Sequence, residues 1–117
     1  MKPYKYSHND TDKIDLDTKV IHKYPTPTKL MDIARMVVKG RHPAGKNTFL
    51  IEHDCNFVIY ITKGEGTIYA GDEVFDVVKD DVVFVSPENK FACEGDMEYI
   101  TVDTPAFYLE QSEIVEI

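Results

Sequence analysis

The chain has 117 residues, enough for one closed core and too few for two. Hydrophobic residues make up 43% and charged ones 29%, the balance of an ordinary globular protein rather than of a membrane span or a disordered tail. With 13 Lys and Arg against 21 Asp and Glu the net charge is −8, so the basic footprint that phosphate neutralisation needs is missing and nucleic acid is not an expected partner.

The first thirty residues form a compositional zone of their own. The start, MKPYKYSHNDTDK, offers no apolar signal region, and the expectation is a cytoplasmic protein with no membrane partner. Polar residues dominate up to Lys19, after which KVIHKY reads as a short strand. Pro25-Thr26-Pro27 then fixes φ twice and withholds two backbone donors, which makes a rigid connector. Residues 1–30 are therefore read as an arm that needs a surface to rest on, a candidate for exchange in a homodimer, and residues 31–117 as the body of the fold.

From residue 31 strong β formers recur in short runs punctuated by Gly, Asp, Asn and Pro. Strands are predicted over 33–39, 47–54, 57–62, 66–70, 73–78, 82–85, 90–94, 97–102 and 106–110. In the first of these Ala34, Met36 and Val38 alternate with Arg35 and Lys39, the period of a half-buried strand. Gly64 and Gly66 bracket Glu65 at a predicted bend, and Ala70-Gly71-Asp72 marks a second. Along 97–103 Tyr99, Thr101 and Asp103 alternate with Ile100 and Val102, and the pattern leaves open which set faces inward. The fold class is all-β.

Two stretches carry a family resemblance. Gly45, five residues, Ile51-Glu52-His53, three residues, Phe57, six residues, Gly64 follows the spacing of the first cupin motif, in which a His-x-His pair precedes a Glu by three or four residues. Asp80-Asp81, Val82-Val83-Phe84-Val85 and Ser86-Pro87-Glu88 follow the second, with Phe91 where a histidine would stand. The chain thus resembles the cupin superfamily of RmlC-like proteins. That resemblance implies a single-domain jelly-roll barrel (a double-stranded β-helix) with a ligand cavity at one mouth, and a homodimer built through an extended N-terminal segment.

On this alignment three of the four metal-ligand positions are Ile51, Phe57 and Phe91, and His53 alone is left. One imidazole among hydrocarbons does not hold a first-row metal, so no metal and no cofactor is expected. The predicted ligand pocket consists of Ile51, His53, Cys55, Phe57, Phe91 and Cys93. A site rebuilt from His53, Cys55 and Cys93 would suit zinc, but antiparallel pairing around His53 and Phe91 puts the cysteines about four residues, roughly 13 Å, apart. The other reading of the two cysteines is as small buried hydrophobes.

Three functions follow. The first is a barrel that binds a small molecule, a sugar or carboxylate metabolite, in a greasy cavity. The second is a metal-independent isomerase, epimerase or lyase with His53 as catalytic acid or base, its neutral-range pKa suiting proton transfer. The third is a metalloenzyme with an unusual ligand set. His42, in the loop-like GRHPAG, is a further candidate for the cavity mouth, set against a solvated loop histidine.

Overall fold

A computed structural model describes residues 2–117. Nine strands are present among them: β1 Asp12–Asp15, β2 Lys19–Lys23, β3 Asp32–His42, β4 Thr48–Glu52, β5 Asn56–Ala70, β6 Glu73–Val78, β7 Val82–Val85, β8 Lys90–Thr104 and β9 Ser112–Glu116. All their pairings are antiparallel, and together they make one sheet that curls on itself. The long strand β8 organises it. One edge of β8 pairs with β4 and then with β3, and the other pairs with β5 along nearly its whole length. The free edge of β5 takes β7 and then β6.

The predicted breaks at Gly64–Gly66 and between 94 and 97 are not turns. Both lie inside fifteen-residue strands, β5 and β8, which run past each other with Gly66 opposite Gly95. A Cβ added to Gly95 would stand 2.6 Å from the Cα of Gly66, so glycine is needed here for close backbone approach rather than for a reversal. The predicted strand over 106–110 is also absent. Residues 109–111 form a single 3-10 turn, and the last strand is β9, which pairs with β4.

Residues 12–23 of the arm fold as a β1–β2 hairpin on the edge of β3 in the same chain. Lys19, Ile21 and Lys23 of this hairpin then face the barrel interior. The interior itself is built by cross-strand rows, since residues directly opposite share a face. Asp32, Asp103, Phe57 and Val85 form one inner row, and Ala34, Thr101, Ile59 and Val83 the next. Ile33, Val102, Val58 and Phe84 form the matching outer row, with Phe84 80% exposed. At the end of β8 Thr101 and Asp103 therefore face in while Ile100 and Val102 face out, the reverse of what burial alone would choose.

Candidate functional site

A cavity of about 490 Å³ lies between the β1–β2 hairpin, the inner face of the sheet and the C-terminal segment. Phe57 and Phe91 wall it, their rings edge to face at 5.2 Å. Its register explains which residues reach it. Leu50 pairs with Phe91 and so shares its inward face, which places Leu50 and Glu52 in the cavity wall and turns Ile51 outward with Lys90.

The predicted pocket is corrected accordingly. Ile51 does not line the cavity, and neither does His53, whose side chain is 42% exposed on the outer surface. The imidazole of His53 is held there by two carboxylates, Glu88 at 2.9 Å from Nδ1 and Glu113 at 2.8 Å from Nε2. With both nitrogens donating, the protonated ring is favoured, and the hydrogen bonds to Glu113 and Glu88 raise its pKa. Cys55 and Cys93 are buried in the wall behind the cavity: the Cys55 thiol donates to the carbonyl of Pro105 at 3.3 Å, and Cys93 lies beside the Tyr99 hydroxyl at 3.8 Å. The expected greasy interior is also corrected, because the cavity carries Lys19, Lys23, Asp32, His42, Glu52, Thr101 and Asp103.

Those polar groups fall into two clusters. At one end Asp103 and Glu52, both buried, form a carboxyl pair. Burial, then the charges of Glu52 and Asp32, push the Asp103 carboxyl up to about 8, and it gives the hydrogen bond that Glu52 receives. Burial likewise raises Glu52, against hydrogen bonds from Asp103 and Gln111. At neutral pH Asp103 therefore keeps its proton. The buried amide of Gln111 fixes this end: its Nε2 donates to Glu52 at 3.2 Å while its Oε1 accepts from the backbone of Asp54 and Cys55 at 3.0 and 3.2 Å. Asp32 alongside receives the Phe107 amide at 2.8 Å and Lys23 Nζ at 3.4 Å.

At the other end stand Lys19 and His42. Lys19 is 5% exposed, and its Nζ lies 5.8 and 5.6 Å from the ring centres of Phe91 and Tyr99. Burial first, and the Lys19 charge second, depress the His42 imidazole to about 4, so it is neutral at physiological pH. Lys19, Glu52 and Asp103 are absent from the predicted pocket set and His42 is predicted only for its mouth, although the alternation of KVIHK and of TFLIE puts Lys19 and Glu52 on a definite face once a register is known.

Comparison with solved structures places the architecture. Pac13 from Streptomyces, solved with uridine, superposes with a TM-score of 0.88 at 20% identity, covering 100% of this chain and 93% of its own. An RmlC-like cupin from Shewanella frigidimarina gives 0.73 at 13% identity over 90% of this chain and 93% of that one. The protein has the cupin fold. Ectoine synthase from P. lautus, another barrel of the kind, gives 0.72 at 16% identity over 97% and 90% of the two chains. No protein-family profile and no curated protein sequence matches the chain.

Cupin barrels commonly carry a metal, so the donor set matters. The inward residues that stand at the four motif positions are Leu50, Glu52, Phe57 and Phe91, which offer a single carboxylate, and Asp103 is a further inward carboxyl on β8. Glu52, Cys55 and Asp103 have ligand atoms within 4.8 Å of one another, but each is engaged within the protein. Cys55, its thiol pushed up to about 12 by burial and the surrounding acids, donates to Pro105. Glu52 receives Gln111 and Asp103. This set does not fit the family's metal centre, and no step below is routed through a metal.

Proposed function

We propose that this cupin barrel binds a small hydroxylated metabolite and removes water from it by metal-independent acid–base catalysis. The observation that carries the reading is the opposition, in one cavity, of a neutral imidazole and a carboxyl pair that keeps a proton at neutral pH. Enzymes separate acid from base by environment in this way. His42 takes the proton from a carbon next to a carbonyl group. The electron pair left behind forms the C=C bond as the β C–O bond breaks, and Asp103 gives its proton to the departing hydroxyl, which leaves as water. The proton on His42 then returns to the carboxyl pair through solvent. The barrel Pac13, described as a nucleoside dehydratase, shares this fold and supports a reaction of this class. The catalytic role once expected of His53 passes to His42 in this reading.

The test is a panel of sugars, sugar acids and nucleosides bearing a carbonyl, with water loss followed by mass spectrometry. Turnover that disappears in Glu52→Gln and Asp103→Asn supports the reading. Turnover unchanged in both overturns it.

We further infer a homodimer in the cytoplasm. The outer rows place Ile33, Tyr60, Val82 and Phe84 side by side, all between 42% and 80% exposed, an apolar face suited to a second copy. Two free buried cysteines suit a reducing compartment, and the net charge of −8 supports a partner other than nucleic acid. Light scattering that reports only monomer at micromolar concentration would defeat the dimer.

A further inference from the structure

We propose that the Lys19 end of the cavity is a carboxylate subsite, so that the ligand is a polyhydroxy monoanion of the sugar-acid class. For the reaction this rests on the elimination reading above; for binding it stands alone.

Lys19 is more than nine-tenths buried, lines the cavity, and its Nζ has no hydrogen bond or ion pair among the described residues. Two ring faces at 5.6 and 5.8 Å stabilise the ammonium in part, but they offer no hydrogen-bond acceptor. A ligand carboxylate would supply the charge-assisted hydrogen bonds that the protein itself does not. The second cavity lysine shows the contrast: Lys23 has its counter-ion, Asp32, at 3.4 Å.

The cavity charges also limit the ligand's charge. Lys19 is the cavity cation with no counter-ion in contact among the described residues, while Glu52, Asp103 and Asp32 line the same space. A monoanion therefore suits it better than a phosphate dianion, which would meet repulsion. The remaining chemistry suits a polyol. Glu52 and Asp103 can accept from and donate to hydroxyls, and the edge-to-face pair Phe57 and Phe91 offers an apolar wall for the C–H face of a sugar. His42, beside the cation, would stand near the carbon that carries the carboxylate.

The probe is a matched pair, D-glucuronate and D-glucose, which differ by the carboxylate at one carbon. Affinities are measured by calorimetry at neutral pH, with the His42 ring resonances followed in parallel. Glucuronate is expected to bind at least about tenfold tighter than glucose. Lys19→Met should bring glucuronate down to the glucose level, and Lys19→Arg should keep the preference. Should Lys19→Met melt early, Lys19→Gln repeats the test with a polar replacement. Equal affinities in the unmodified protein, no binding of either sugar, or a preference that survives loss of the lysine would each overturn the subsite. Glu52→Gln separates the two readings. It should abolish water loss and leave the glucuronate preference intact. If it turns over normally while Lys19→Met loses the preference, the elimination falls and the subsite stands.

Discussion

His42 and His53 sit in the same small barrel and have opposite chemistry. His42 ends β3, faces the cavity beside Lys19, and is depressed to about 4 by burial and that neighbouring charge. His53 stands on the outer surface between Glu88 and Glu113, whose hydrogen bonds raise its pKa and favour the protonated ring. The residue type is the same, yet one is a neutral imidazole lining the cavity and the other a clamp between an outer loop and the last strand. The difference teaches that an imidazole's role is set by which side of the sheet it reaches and by the sign of the nearest charge.

The largest expected effects break this comparison at its inner side. Replacing Glu52 by Gln or Asp103 by Asn should lower turnover by roughly 100- to 10,000-fold, the usual worth of a positioned acid or base. His42→Gln should do the same, while His53→Ala should leave turnover within about twofold, as expected of a residue outside the machinery. A large loss in His53→Ala with His42→Gln unaffected would reverse the assignment of the two histidines.

Next in size is the contrast between the two faces of the sheet. Phe91 is 2% exposed and packs on Phe57, so Phe91→Ala should cost about 3–5 kcal/mol in chemical denaturation. Phe84 is 80% exposed on the outer row, and Phe84→Ala should stay within about 0.5 kcal/mol for the isolated chain. A marked loss at Phe84 that grows with protein concentration would instead report the dimer face.

How far the sequence goes is visible at these positions. The barrel could be read because turn residues, β-branched runs and the two motif spacings all agree, and each is a local signal. The site could not, because its residues depend on register, and a slip of one exchanges the two faces of a strand. The family spacing allows three or four residues before Phe57. Three puts Ile51 and His53 inward; the pairing of Leu50 with Phe91 corresponds to four, and puts Leu50 and Glu52 there instead. Thr101 and Asp103 carried the same ambiguity, and hydrophobicity would have resolved it wrongly by burying Ile100 and Val102. Lys19 and Gln111 come from the arm and the C-terminal segment, outside both motifs, and only tertiary contact brings them to Glu52 and Phe91.

Stability should also depend on pH with opposite signs for the inner groups. Asp103 keeps its proton in the folded state up to about 8, while the unfolded chain releases it near 3.8, so this group's contribution weakens as pH rises across that window. His42 runs the other way: the unfolded chain takes up a proton near 6.5 and the folded one only near 4, so stability is lost as pH falls between those values. Melting curves of Asp103→Asn should lose the decline as pH rises from 3.8 to about 8, and those of His42→Gln the decline as pH falls from 6.5 to about 4.

The smallest effect belongs to the outer clamp. The folded pKa of His53 lies above its ordinary 6.5, so its contribution is complete below that value and disappears as pH rises through the folded one. Because the pair partners are solvent-exposed, salt should erase most of the contribution. His53→Gln is therefore expected to lower the melting temperature slightly at pH 6 and low ionic strength, with no difference at pH 9 or in molar salt. Equal destabilisation under all these conditions would mean that the ring acts by packing alone, and the contrast with His42 would then be one of position and not of charge.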